Sequence, residues 1–128
     1  MKYLFIGALI YFSFSIGLYA SGFLIVFAFF NDKELKDLNV KFLNHDYYTD
    51  VLSFNDSTGK EIKGDIAISI QRVKENAKLY SPSFDEELRR VMVHGLLHFM
   101  NYKDSTKEEI TLIRAKEEKM LGLFHVKQ

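Results

Sequence analysis

His94 and His98 stand four residues apart, and Asp104 follows six residues after the second of them. Imidazoles at that interval on a helix leave the same face about one turn apart and can grip one cation between them. The helix gives out near Asn101-Tyr102, so the chain can fold back and bring the Asp104 carboxylate to the same ion. Three protein ligands with a fourth position open make the arrangement of a hydrolytic zinc site, in which the metal acidifies a bound water and polarises a substrate oxygen. The spacing by itself is weak evidence, since a histidine pair at this interval on a half-exposed helix often arises by chance. Gly95 follows His94 directly, where metalloproteases of the His-Glu-x-x-His type carry a general-base glutamate, and it also removes bulk beside the first imidazole. Arg90, one turn before His94, is the candidate catalytic side chain: it can hold a phosphate or a neighbouring carboxylate, or stand as a solvated charge. Asp50 and Asp65 have two readings of equal weight, orientation of the imidazoles or hydrogen bonding at turns and strand ends. Tyr102 can stack on a base or pack against the helix end.

The composition narrows what else these residues can be. With 128 residues the chain has room for one domain with a genuine core. Seventeen Lys plus Arg balance seventeen Asp plus Glu, so no global positive field draws it to nucleic acid, and any such contact must be local. The absence of Cys excludes disulfides, thiolate metal sites and a cysteine nucleophile, which leaves His, Asp and Glu as the strong ligands.

The elements that must position the ligands read as an α+β domain, a small mixed sheet packed against helices, with the metal-binding helix at its centre. Leu35, Leu38 and Phe42 form one stripe of a helix from Asp32 to about Asn44. Val51 to Phe54 and the alternating Ile66 to Ile70 are strands, joined through Asn55-Asp56-Ser57-Thr58-Gly59, which carries turn chemistry. Gln71 to Tyr80 is a helix that ends before Pro82. Ser83 and Glu86 form a capping box that opens the helix carrying His94 and His98, which runs to about Asn101. Ser105 and Glu108 open the last helix in the same way, and it stops at Gly122.

The N-terminus is anomalous. From Tyr3 to Phe30 no residue is charged, a run of twenty-eight, long enough to cross a bilayer. Residues 1–22 form an apolar segment set apart from a domain over 23–128. Residues 3–22 are either a membrane anchor or signal-like segment, with Leu18-Tyr19-Ala20 a poor match to a cleavage site, or degenerate first elements of the fold. Phe23 to Phe30 suits a buried strand.

The stretch His94-Gly95-Leu96-Leu97-His98-Phe99-Met100-Asn101-Tyr102-Lys103-Asp104 resembles the His-Gly-x-x-His helix and Gly-Tyr-Asp-His sequel of the YbeY family. Thr49-Asp50-Val51-Leu52-Ser53-Phe54 and Gly64-Asp65-Ile66 are similar to two further motifs of that family, in the same order. The resemblance covers about residues 23–124. It implies a zinc-dependent, single-strand-specific endoribonuclease of the cytoplasm that acts in rRNA maturation and ribosome quality control. One zinc ion on His94, His98 and Asp104, no small-molecule cofactor, and single-stranded RNA, rRNA precursor and ribosome as partners follow from it. The chain departs from the family pattern at several places. Asp104 stands where the third ligand is commonly His, which adds negative charge and makes a bound water less acidic. Asn101 replaces the usual Gly, Lys103 the usual Asp, and Leu43 a basic residue whose RNA contact Lys41 or His45 can assume. The family's N-terminal strand and amphipathic helix are not recognisable in residues 1–22. A hydrolase of the same fold with a non-RNA substrate, and a membrane-associated, inactive ribosome-binding member on the cytoplasmic side, are the alternative readings.

Overall fold

The computed structural model describes residues 15–20, 23–80 and 83–123. Its elements in chain order are β1 (Ser15–Ala20), β2 (Phe23–Phe30), α1 (Asp32–Leu43), β3 (Val51–Asn55), β4 (Ile62–Ser69), α2 (Ile70–Tyr80), α3 (Phe84–Phe99) and α4 (Lys107–Gly122). The sheet order is β1-β2-β4-β3, with β2 and β4 parallel and the other two pairings antiparallel. The fold is therefore the mixed-sheet α+β architecture that the sequence implies, with α3 packed on the sheet. β4 starts at Ile62, four residues before the alternation becomes visible, because Ile62, Lys63 and Gly64 earn their place through backbone pairing with β2 rather than through an apolar pattern.

Ser15–Ala20 lies inside the apolar N-terminal run and pairs with β2 along its whole length. The cleavage-like Leu18-Tyr19-Ala20 is thus part of a strand. The remainder of the membrane-anchor reading, residues 3–14 and 21–22, falls outside the described residues. Among the described residues no helix is long and apolar enough to cross a membrane.

Strand side chains alternate between two faces, and each face has its own core. Ala28, Phe30, Leu52, Phe54 and Ala67 meet Leu35 and Leu38 of α1. Ile25, Phe27, Ile66 and Ile68 meet Val73 of α2 and Val91 and Phe99 of α3 on the other. A third cluster of Val93, Leu97 and Ile113 seats α4 against α3, with Tyr102 packed on it. Tyr102 therefore takes the packing role of its two readings.

Gly95 is needed for the approach of α3 to the sheet. A Cβ there would stand 2.8 Å from Ile66 Cγ2 and 3.3 Å from Val51 Cγ2, so its lack of a side chain serves helix and sheet contact rather than the imidazole. The Ser53 hydroxyl donates to the Gly95 carbonyl at 3.1 Å and fixes the same junction. Helix ends are capped much as the sequence suggests. Ser83 accepts from the Glu86 amide, while at α4 the cap falls one residue later, on Thr106 with Glu109. Glu109 accepts from the amides of both Ser105 and Thr106, which favours that later position. Asn31 and Glu34 make a capping box at α1 that the sequence reading did not single out.

Asp65 sits on the α1 face beside Phe54 and Val26, facing away from α3, and does not reach the imidazoles. Burial, with Asp56 nearby adding to it and Lys63 opposing, raises its carboxyl from the ordinary 3.8 to about 6. A raised carboxyl leaves stability intact below its unfolded value and removes it as pH climbs through about 6. Asp65→Asn should therefore be increasingly more stable than the parent, by about 1–3 kcal/mol, between pH 4 and pH 7.5. Denaturant titrations of both proteins at the two pH values check this.

Candidate metal centre

α3 turns His94 and His98 to one side, and the loop after it returns Asp104 to them. The two Nε2 atoms lie 2.9 Å apart, and Asp104 Oδ2 is 3.4 Å from the first and 3.5 Å from the second. The return depends on Asn101, whose φ of 68° is left-handed. Glycine enters that region freely and asparagine is the side chain that best tolerates it, which accounts for Asn101 at a position where the family pattern has Gly.

The other ring nitrogens are fixed from behind. His98 Nδ1 lies 2.9 Å from the Tyr102 carbonyl oxygen, which can only accept, so this nitrogen carries the hydrogen. His94 Nδ1 meets the Glu117 carboxylate in the same sense. Both Nε2 atoms are then bare acceptors, facing each other and a carboxylate oxygen. Such a set repels itself unless a proton or a metal ion stands among its members. Zinc with bonds of about 2.0–2.1 Å in tetrahedral geometry sets its ligand atoms roughly 3.4 Å apart, close to both carboxylate distances and reached if the histidine pair opens by roughly 0.5 Å. The donor set therefore fits a divalent metal, and His94, His98 and Asp104 are the group among the described residues that could hold one.

Burial of the His94 ring opposes its charge, but the Glu117 hydrogen bond and the charges of Glu117, Asp50 and Asp104 outweigh it and raise the imidazole above its ordinary range. The carboxylates around the ring thus favour positive charge beside them.

Behind the ligands lies a carboxylate and guanidinium network. Arg90 bonds Glu87 through Nε at 2.9 Å, approaches Asp50 at 3.4 Å and Glu117 at 3.8 Å. Burial works against its charge, yet these carboxylates hold the guanidinium more firmly protonated than usual. Of the roles the sequence allows Arg90, the geometry matches the neighbouring-carboxylate one. Asp50 reaches the ligands only through Arg90 and through space.

Sequence reasoning passed over Glu117 and Glu87, which are 5% and 2% exposed. Their signal was present: Glu117 interrupts the stripe of Ile110, Ile113, Met120 and Leu121 on α4, and a charge on an apolar stripe calls for a buried partner. His125 lies outside the described residues. Glu117→Leu should weaken zinc affinity about 10- to 100-fold, and Glu117→Gln less, since an amide oxygen can still accept from His94. Competition titration with a chromophoric chelator ranks the three proteins.

Beside the ligands opens a cleft of about 200 Å³, lined by Arg90, His94, Asp104, Ile110, Arg114 and Glu117 among others. The model of the family described as Endoribonuclease YbeY matches residues 13–125. Curated relatives of that name include one from Flavobacterium psychrophilum, 52% identical over 81% of this chain and 74% of its own. Another, from Christiangramia forsetii, is 49% identical over 81% and 73%. The solution structure of TM1509 from Thermotoga maritima aligns with a TM-score of 0.52 at 29% identity, covering 79% of this chain and 70% of its own. With the helix, loop and sheet placing the His-Gly-x-x-His histidines and Asp104 together, and the family model matching most of the sequence, the chain belongs to the YbeY endoribonuclease family.

Proposed function

We propose that this protein is a zinc-dependent, single-strand-specific endoribonuclease of the cytoplasm, acting in rRNA maturation and ribosome quality control, with one zinc ion on His94, His98 and Asp104. The observation that carries the reading is the trio of acceptor atoms turned on one another beside an open cleft. A divalent ion held there supplies Lewis acidity toward a phosphate oxygen and lowers the pKa of water.

The chain's own residues prepare that chemistry. Glu117 and the Tyr102 carbonyl lock both imidazoles in the tautomer that presents Nε2. Arg90 acts as a positioning residue, holding Glu117 and Asp50 in place by ion pairing. Asp104, on the exposed connecting loop, lines the cleft and leaves the site open to an RNA strand.

Incubating the purified protein with single-stranded and duplex rRNA fragments tests the reading. Cleavage of the single strand that stops on chelation and returns with equimolar zinc is the expected result. Cleavage indifferent to chelation would refute the role of the metal.

A further inference from the structure

The anionic substrate poses a problem for this cleft. Four carboxylates, those of Asp50, Glu87, Asp104 and Glu117, stand at the site or directly behind it. The nearest cation, Arg90, is engaged by three of them and could bind a phosphate only by leaving a buried carboxylate uncompensated. A second arginine also lines the cleft. Arg114 lies on α4 between buried Ile113 and buried Glu117, is itself exposed, and has no ion pair among those recorded for the described residues.

We propose that Arg114 is the substrate-holding cation, its guanidinium binding the phosphate oxygens of single-stranded RNA drawn across the cleft beside His94 and Asp104. The inference deepens the endoribonuclease reading and rests on it. The argument is one of charge and shape. Two positive charges from a divalent ion, with Arg90, still leave the surrounding carboxylates in excess, and Arg114 brings the site to balance before the phosphate arrives. A guanidinium offers paired N–H donors to two phosphate oxygens at once, which a lysine cannot do. One turn earlier, partly exposed Ile110 provides an apolar surface for the sugar or base next to that phosphate.

The test compares zinc-loaded wild type, Arg114→Ala and Arg114→Lys in cleavage of a short single-stranded RNA over a series of salt concentrations. Expected for Arg114→Ala is a KM raised roughly tenfold, with zinc content and melting temperature unchanged. The slope of log(kcat/KM) against log salt should become shallower by about 0.7, the share of one phosphate contact on a single strand. Arg114→Lys should recover the salt slope and only part of the KM. A wild type that cleaves RNA, beside an Arg114→Ala protein with the same KM and salt slope, overturns the inference and leaves the nuclease reading standing. Loss of zinc or of melting temperature in Arg114→Ala overturns it by showing a structural role. A zinc-loaded wild type that neither binds nor cleaves RNA overturns both.

Discussion

His94→Ala should purify without stoichiometric zinc and cleave single-stranded RNA at least about a hundredfold more slowly than wild type, with its fold intact. The expectation follows from what the ring does on each side. Its Nε2 faces His98 and Asp104, and its Nδ1 engages Glu117, so the substitution removes one of three ligands and the link to the buried support. Loss of an outer partner of a ligand commonly costs 10- to 100-fold in affinity or activity, and loss of the ligand itself must exceed that. The ring is only partly buried, so its removal opens the cleft instead of hollowing a core. Elemental analysis, circular dichroism and cleavage assays together decide the matter. Zinc retained at one equivalent with full cleavage would refute the assignment of this ligand.

Gly64→Ala should destabilise the protein by about 3 kcal/mol, at the upper end for overpacking. A Cβ at Gly64 would press into the backbone carbonyl of Phe54 and lie 2.5 Å from two carbons of the Phe99 ring. The carbonyl belongs to a paired strand and cannot yield, and Phe99 is buried at the end of α3. Phe99 follows His98 directly, so any relief gained by moving its ring shifts the last turn of the helix and with it a ligand. The variant should accordingly combine a lower denaturation midpoint with weaker zinc binding, whereas Asp65→Asn next to it affects stability alone. An unchanged midpoint in Gly64→Ala would contradict the packing described here.

The local parts of this structure were legible in the sequence because each is written in a short interval. The histidine pair, the Ser83 cap and the alternation in β4 are patterns spanning a few residues, and all appear where expected. What escaped notice depends on contacts between distant elements. Glu117 acquires its meaning only when α4 packs on α3, twenty-three residues from His94. Gly95 looked like a clearance for the imidazole, while its contact partner, Ile66, comes from a strand distant in the sequence. β1 was hidden for another reason: an uncharged run offers no alternation by which a strand can be told from a membrane segment.

The three ligands and their supports, buried Glu87 and Glu117 with half-buried Arg90, all lie between residues 84 and 122, within two successive helices and the loop joining them. The chemistry is thus carried as one contiguous cassette, for which the sheet is a foundation. Substitutions accumulating in β1 or β2 would erode the foundation's firmness long before they disturbed coordination, so an unusual leading strand and an intact ligand set can coexist in one chain.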